Sequence, residues 1–268
     1  MVRASAQVIL NGLPHWRREF RILIMRSKGV SLQPADYRRC LIAYIDVLGM
    51  RQMLNASSDS ASMRTYIKML LSALIRETRV RRKPGSRMLV RTFSDLVLRF
   101  APLSQETNVV DEELDNLCEI QNRLFNQQVL VRGGITVGDL FWNPRLLFGP
   151  GLVRAYELEH KLALQPRIIV DPVVLNMTDK DCYVTRDADG NWFIDYLSRG
   201  VVFYMGEDED RFYAKARKFI EDGLRNSVEL DSTRIKYLWL ANYFNEIIGN
   251  QNPKVLNRRL KRLRINPE

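Results

Sequence analysis

Two aspartates in the 268-residue chain stand where an acid is costly unless it does chemistry. Asp46 interrupts the apolar run Cys40-Leu41-Ile42-Ala43-Tyr44-Ile45-Asp46-Val47-Leu48, and Asp95 follows Ser94 between two short β-rich runs. An ionised carboxylate in a dry interior needs a partner. Carboxylates on adjacent strands can share two metal ions ~3.5–4 Å apart, an arrangement suited to activating a hydroxyl and neutralising a leaving phosphate. Taken singly, each acid has a plainer reading. Asp46 would cap a helix starting near Gly49, and Asp95 would be an ordinary turn aspartate.

The surrounding elements decide whether the two acids meet. The run 40–48 is short and partly β-branched, which predicts a buried strand ended by Gly49. Met63, Ile67, Leu70, Leu71, Leu74 and Ile75 are spaced as one face of a helix over 60–79. Arg87–Phe93 and Leu96–Phe100 read as a hairpin joined by Ser94-Asp95. A helix over about 110–128 follows, then a strand from Val129 to Gly138, a helix from Leu152 to Leu164 and a strand over Pro166–Val170. Asp187-Ala188-Asp189-Gly190-Asn191 predicts a second hairpin, and two helices over about 208–227 and 231–249 complete the pattern. The order strand, helix, hairpin, helix, strand, helix, strand is a split βαβ arrangement. The expected fold is α+β, ferredoxin-like, with a mostly antiparallel central sheet and helices packed on it. Residues 1–36 form an expected helical N-terminal segment, 37–200 a catalytic domain and 201–268 a helical C-terminal extension on the core.

Lys and Arg number 41 against 31 Asp and Glu, a net charge of +10 that favours anionic partners. Much of the excess lies at Arg17-Arg18, in Arg79–Lys83 and in the tail Arg258–Arg264, where solvated faces account for it; no specific nucleic-acid partner is expected. Cys40, Cys118 and Cys182 form no CxxC pair, which argues against a disulfide framework or zinc site and for free thiols in the cytoplasm. No apolar stretch approaches the ~20 residues that span a bilayer. His15 and His160 suggest no catalytic pair.

Four segments in order carry a family resemblance: Tyr44-Ile45-Asp46-Val47-Leu48-Gly49-Met50, Thr92-Phe93-Ser94-Asp95, Arg132-Gly133-Gly134-Ile135-Thr136-Val137-Gly138 and Gly149-Pro150-Gly151-Leu152-Val153. Together they resemble the successive motifs of class III nucleotidyl cyclases over about residues 39–171. The stretches Phe93-Ser94-Asp95, Val131–Ile135 and Gly149–Glu159, followed by Pro166-Arg167-Ile168, are most similar to the pyrimidine cyclases of bacterial Pycsar anti-phage defence. The resemblance implies conversion of UTP or CTP, uridylate slightly preferred, to a 3′,5′-cyclic monophosphate and pyrophosphate. It implies two Mn²⁺ or Mg²⁺ ions per site on Asp46, Asp95 and the backbone carbonyl of Val47, with Tyr44, Val47, Gly49, Ser94 and Arg132 around the nucleotide. It also implies a head-to-tail homodimer whose sites the partner completes, and a separate effector activated by the product.

The chain departs from the purine cyclases on the helix after Gly149. Val153 and Glu157 stand where those enzymes carry an Asn and an Arg for the ribose and the transition-state phosphate. Arg154, helped by Lys161, is the candidate replacement cation, with a surface salt bridge to Glu157 as its alternative. Leu147 occupies the position expected to read a purine and is consistent with a non-purine base. Tyr44 faces either the nucleotide or the core. Arg132 has a core-edge ion pair as its plainer reading, and Gly133 and Gly134 clear space for packing or for a ligand. A dinucleotide cyclase or polymerase also needs two metal carboxylates, but the chain lacks a Gly-Gly-Asp-Glu-Phe run and a second acid beside Asp95. A nucleic-acid-binding or adaptor protein on the same fold would account for the charge alone.

Overall fold

The computed structural model describes residues 36–79, 88–103, 108–178, 183–198, 201–202, 206, 208–228, 231–249 and 264–265. The chain divides into two compact units, Met1–Asp36 and Tyr37–Glu268. The N-terminal helical segment, Cys182, His15 and most of the three basic clusters lie outside the described residues.

In chain order the second unit runs β1 (Arg38–Val47), α1 (Met50–Ala56), α2 (Ala61–Arg79), β2 (Leu89–Phe93), β3 (Leu96–Pro102), α3 (Val109–Asn126) and β4 (Val131–Trp142). Then come β5 (Leu147–Phe148), α4 (Pro150–Glu157), a π-turn (Leu158–Leu162), β6 (Ile168–Val170), α5 (Pro172–Leu175), β7 (Val184–Arg186) and β8 (Trp192–Ile194). Two long helices follow, α6 (Glu209–Asn226) and α7 (Ser232–Gly249). The sheet order is β2-β3-β1-β4-β6-β8-β7, with β5 paired to β4 alone. Among the described residues β4 and β6 run parallel and the other pairs are antiparallel. This is the α+β fold expected from the order of elements.

Side chains alternate across β1, so its two faces serve different purposes. Leu41, Ala43, Ile45 and Val47 enter the main core with Leu70 and Leu74 of α2 and Leu114 and Leu117 of α3. Cys40 and Ile42 point the other way, into a smaller cluster with Phe100, Leu140 and Ala155 of α4. The two split-βαβ helices therefore share one face, as the sequence pattern requires, while α4 occupies the other. Arg99 of β3, 3% exposed, ties the sheet to the helices through Glu113 of α3, with Nε–Oε1 at 2.5 Å and Nη2–Oε2 at 2.7 Å.

α4 approaches β4 so closely that two positions of the strand beneath it have room only for glycine. A Cβ on Gly134 would lie 2.4 Å from the Leu158 Cβ and 2.8 Å from the Ala155 carbonyl oxygen. One turn earlier, a Cβ on Gly138 would lie 2.6 Å from the Gly151 Cα. Gly138 accordingly does not end the strand, which runs on to Trp142 and pairs Leu140 with Arg38. The helix expected over 152–164 is also different: α4 ends at Glu157 and passes into the π-turn, closed by Ala163 N–H to Leu158 O at 2.9 Å. That wider turn drops Leu158 into the main core and buries Glu159.

α6 and α7 are part of the same core. Phe212, Tyr213 and Ile220 of α6 and Leu240, Tyr243 and Phe244 of α7 are buried in it. A Cβ on Gly223 of α6 would lie 2.2 Å from the Tyr237 ring, so α7 is seated on α6 at a glycine.

Candidate active site

The sheet register brings the two aspartates together. Leu96 stands opposite Asp46 in the β1–β3 pairing, and Asp95 is the next residue, in the turn. Phe93 pairs with Leu96, leaving Ser94 and Asp95 as a two-residue hairpin loop. Ser94 has φ 54°, a left-handed conformation that favours glycine at the first position of such a turn. Strain of this kind costs on the order of 1–3 kcal/mol and gathers at functional sites.

Asp46 shares its face of the sheet with Arg132, its direct partner across the β1–β4 pairing. The guanidinium Nε and Nη2 both lie 3.4 Å from Asp46 Oδ2, and Nη2 lies 2.6 Å from Glu159 Oε1. The second contact is an ion pair without hydrogen-bond alignment, since the same Glu159 oxygen is buried without a hydrogen-bond partner. Arg132 is thus a lone guanidinium between two carboxylates. Burial, and then the charges of Asp95 and Glu159, push the Asp46 carboxyl up to about 6 against the pull of Arg132. Burial likewise raises Glu159, with Arg132 and His160 opposing it.

Tyr44 lies on the same face two residues from Asp46, with its ring 5.8 Å from that of Tyr156 in an edge-on contact. Burial raises its hydroxyl to about 12, and Glu159, Asp46, Tyr156 and Asp95 add to the effect. Tyr44 therefore belongs to the acidic cluster and not to the main core. His160 stacks on Tyr156 at 5.3 Å.

Gly49 has φ 83° and is the N-cap of α1, which no side chain caps. The reading of Asp46 as a helix cap falls with that observation; its carboxylate turns to Arg132. The Val47 side chain is buried in the main core, which leaves only its backbone for a ligand.

Arg154 is placed elsewhere. It donates from Nε to Asp171 Oδ2 at 2.8 Å and from Nη2 to Oδ1 at 3.1 Å, and Thr136 Oγ1 donates to the same Oδ2 at 2.7 Å. Thr136 is four residues along β4 from Arg132, roughly 13 Å at ~3.3 Å per residue. Arg154 is consequently not joined to the Asp46 cluster of its own chain. The expected alternative, a bridge to Glu157, is also corrected: Glu157 takes Lys161 at 2.8 Å. Leu147 packs against the smaller cluster on β5.

Glu159 and Tyr156 are site neighbours that sequence reasoning did not single out, nor did it single out Asp171 as the partner of Arg154. The π-turn hid Glu159, because ordinary helical spacing does not announce a buried acid there. Asp171 directly precedes Pro172 and is the N-cap residue of α5.

Among the described residues no group of three or more His, Cys, Asp or Glu is arranged to hold a metal ion. The candidate set is smaller, two carboxylates with a backbone carbonyl nearby. Hard oxygen donors suit Mg²⁺ or Mn²⁺. Burial and then the repulsion of neighbouring acids raise Asp46, and a divalent cation between the two aspartates would relieve that repulsion, so the residues fit such an ion.

No protein-family model matches the chain, and no curated protein matches it. Among solved structures it is similar to the adenylyl cyclase CyaB from P. aeruginosa, at 13% identity over 59% of this chain and 94% of that one, with a TM-score of 0.43. It is similar to the guanylyl cyclase domain of the RhoGC fusion protein from Blastocladiella emersonii, at 13% identity, 59% and 95% coverage and a TM-score of 0.42. The adenylate/guanylate cyclase/hydrolase from Silicibacter pomeroyi gives 18% identity, 60% and 96% coverage and a TM-score of 0.37.

Proposed function

We propose that the protein is a class III nucleotidyl cyclase that converts UTP or CTP, with uridylate slightly preferred, to the 3′,5′-cyclic monophosphate and pyrophosphate. The observation that carries this reading is the register that sets Asp95 beside Asp46, on a face shared with Tyr44 and Arg132. The four ordered motifs give the same reading from the sequence side.

In this reaction the ribose 3′-oxygen bonds to the α-phosphorus. The bond from that phosphorus to its bridging oxygen breaks, pyrophosphate leaves with the electron pair, and the hydroxyl proton passes to water. Bound Mn²⁺ or Mg²⁺ ions supply the acidity that frees the hydroxyl and neutralise the triphosphate. Asp46 and Asp95 would hold those ions, together with the Val47 carbonyl. Arg132 exchanges its 3.4 Å contact with Asp46 for phosphate oxygens while Glu159 retains it. Ser94 and Gly49 shape the turns that border the nucleotide, and Tyr44 lines it.

Arg154 serves a second copy of the chain. Its side chain is 47% exposed on α4, and Val153 and Tyr156 leave apolar surface beside it. A head-to-tail homodimer covers that face and presents Arg154 to the partner's Asp46 and Asp95. The product acts as a defence signal on a separate effector.

Incubation of purified protein with each of the four ribonucleoside triphosphates and Mn²⁺, followed by mass spectrometry, tests this. The expected outcome is a cyclic pyrimidine monophosphate with equimolar pyrophosphate, reduced at least a hundredfold in Asp46→Ala and in Asp95→Ala. Absence of turnover of all four nucleotides overturns the cyclase reading, and full activity in either variant overturns the site.

A further inference from the structure

Glu159 reaches the aspartate face because α4 does not continue as an ordinary helix. The π-turn over Leu158–Leu162 puts Leu158 into the main core and leaves Glu159 3% exposed. Beneath it β4 carries Gly134, where a Cβ would lie 3.2 Å from the Glu159 backbone nitrogen. Gly134 and Arg132 are two residues apart on β4 and so project from one face of the sheet. Their partners across β1 are Tyr44 and Asp46, so Glu159 enters on the face that carries the aspartate. Widened turns of this kind are frequent at functional sites.

The distances around Arg132 are unequal. Its Nη2 lies 2.6 Å from Glu159 Oε1, while Nε and Nη2 both stand 3.4 Å from Asp46 Oδ2. A guanidinium paired with a carboxylate normally closes to about 2.7–2.9 Å. Arg132 is therefore drawn up against Glu159 and stands off from Asp46. Burial follows the same order: the Glu159 side chain is 4% exposed, against 24% for Asp46 and for Arg132. A carboxylate as dry as Glu159 needs its cation, whereas Asp46 still meets water. Arg132 and Glu159 cancel, which leaves Asp46 and Asp95 with their negative charges uncompensated.

We propose that Glu159 is a positioning residue of this site: it holds the Arg132 guanidinium off Asp46 and cancels its charge, leaving the Asp46 carboxylate open to a divalent cation. The inference rests on the reading of Asp46 and Asp95 as a cation site and is independent of the nucleotide used. Glu159 touches neither ion nor substrate and transfers no proton. Without it, Arg132 turns its full charge on Asp46 and competes with the cation for that carboxylate. The π-turn then has a purpose beyond packing, since it delivers one acid to one guanidinium.

Mn²⁺ binding to the full chain without nucleotide, read from the electron paramagnetic resonance signal of the free ion, tests this. The proteins are wild type, Glu159→Gln, Asp46→Ala and a double variant carrying Arg132→Met with Glu159→Gln. At an effective dielectric constant of about 20, one uncompensated charge at contact range changes ion affinity about tenfold or more. Glu159→Gln is expected to bind Mn²⁺ weaker by that factor. The double variant is expected to return to within about twofold of wild type, because the competing cation leaves together with its partner. A purely structural role for Glu159 gives no such rescue. Uncharged replacement of a whole buried ion pair is well tolerated by folds, so the double variant decides alone if melting curves show Glu159→Gln to be unfolded. Mn²⁺ binding by folded Glu159→Gln within about twofold of wild type, or by the double variant about tenfold weaker than wild type, overturns the proposal. Failure of the cation site itself is distinguishable: Asp46→Ala then binds Mn²⁺ like wild type, and the proposal falls with it.

Discussion

Asp46 and Asp189 show how environment moves one side chain in opposite directions. Asp46 is raised by burial and by its acidic neighbours. Burial also acts to raise Asp189, but hydrogen bonds from the Arg167 guanidinium and from Asn191 outweigh it and bring that carboxyl down to about 2. A carboxyl whose folded value lies below its ordinary value of 3.8 contributes stability that is full above about pH 4 and is lost as the pH falls towards 2. Arg167 is nearly buried and joins the strand end before β6 to Asp187 and Asp189 of the β7–β8 turn. Denaturant midpoints measured between pH 5 and pH 2.5 should therefore fall less steeply in Asp189→Asn than in wild type. Equal slopes would show that Asp189 adds nothing to acid unfolding.

Among the elements, α4 and β4 are joined through absent side chains. Gly134 passes beneath Leu158 and Ala155 at distances that exclude a methyl group, and backbone atoms on both sides leave little room to yield. Gly134→Ala should destabilise the fold by at least about 1–3 kcal/mol, the usual cost of overpacking. It should also displace Glu159 and with it Arg132, so turnover should drop further than the loss of folded protein explains. Denaturant melts and the activity of the folded fraction, measured on one preparation, separate the two effects. This contact also marks where the sequence stops being legible. Gly133-Gly134 announced a close approach without saying whether backbone, ligand or helix came close. The element types and order were readable from hydrophobic period. The end of β4 was not, because glycine at 138 signals a stop where the fold needs a gap for Gly151. The π-turn was not, because its one-residue widening leaves the apolar spacing of Leu158 and Leu162 intact.

In the whole molecule, the aspartate pair and Arg154 lie on different parts of one chain. Asp46 and Asp95 were legible as a pair from the order of the motifs, since the hairpin carrying Asp95 had to run beside the strand carrying Asp46. Arg154 was legible as a cation, but its bond to Asp171, well along β4 from Arg132, was not. The proposed homodimer gives it a role in the site of a second copy, and that role has a direct test. Equimolar mixing of Asp46→Ala and Arg154→Ala should therefore restore activity that neither variant has alone, since a mixed dimer contains one site with both groups intact. No recovery after verified subunit exchange would place Arg154 outside the reaction.

The crowding of negative charge at Asp46 and Asp95 makes heat unfolding a test of the proposed cation site. An ion that binds only the folded chain stabilises it by mass action, about 2.7 kcal/mol at a hundred times its dissociation constant. For a chain of this length that is a rise of about 5–10 °C in melting temperature. Melting curves recorded at increasing Mn²⁺ should climb along that logarithmic law in wild type and stay flat in Asp46→Ala. Affinity for the ion is then readable from thermal denaturation before any nucleotide is added, and before the identity of the base has been decided.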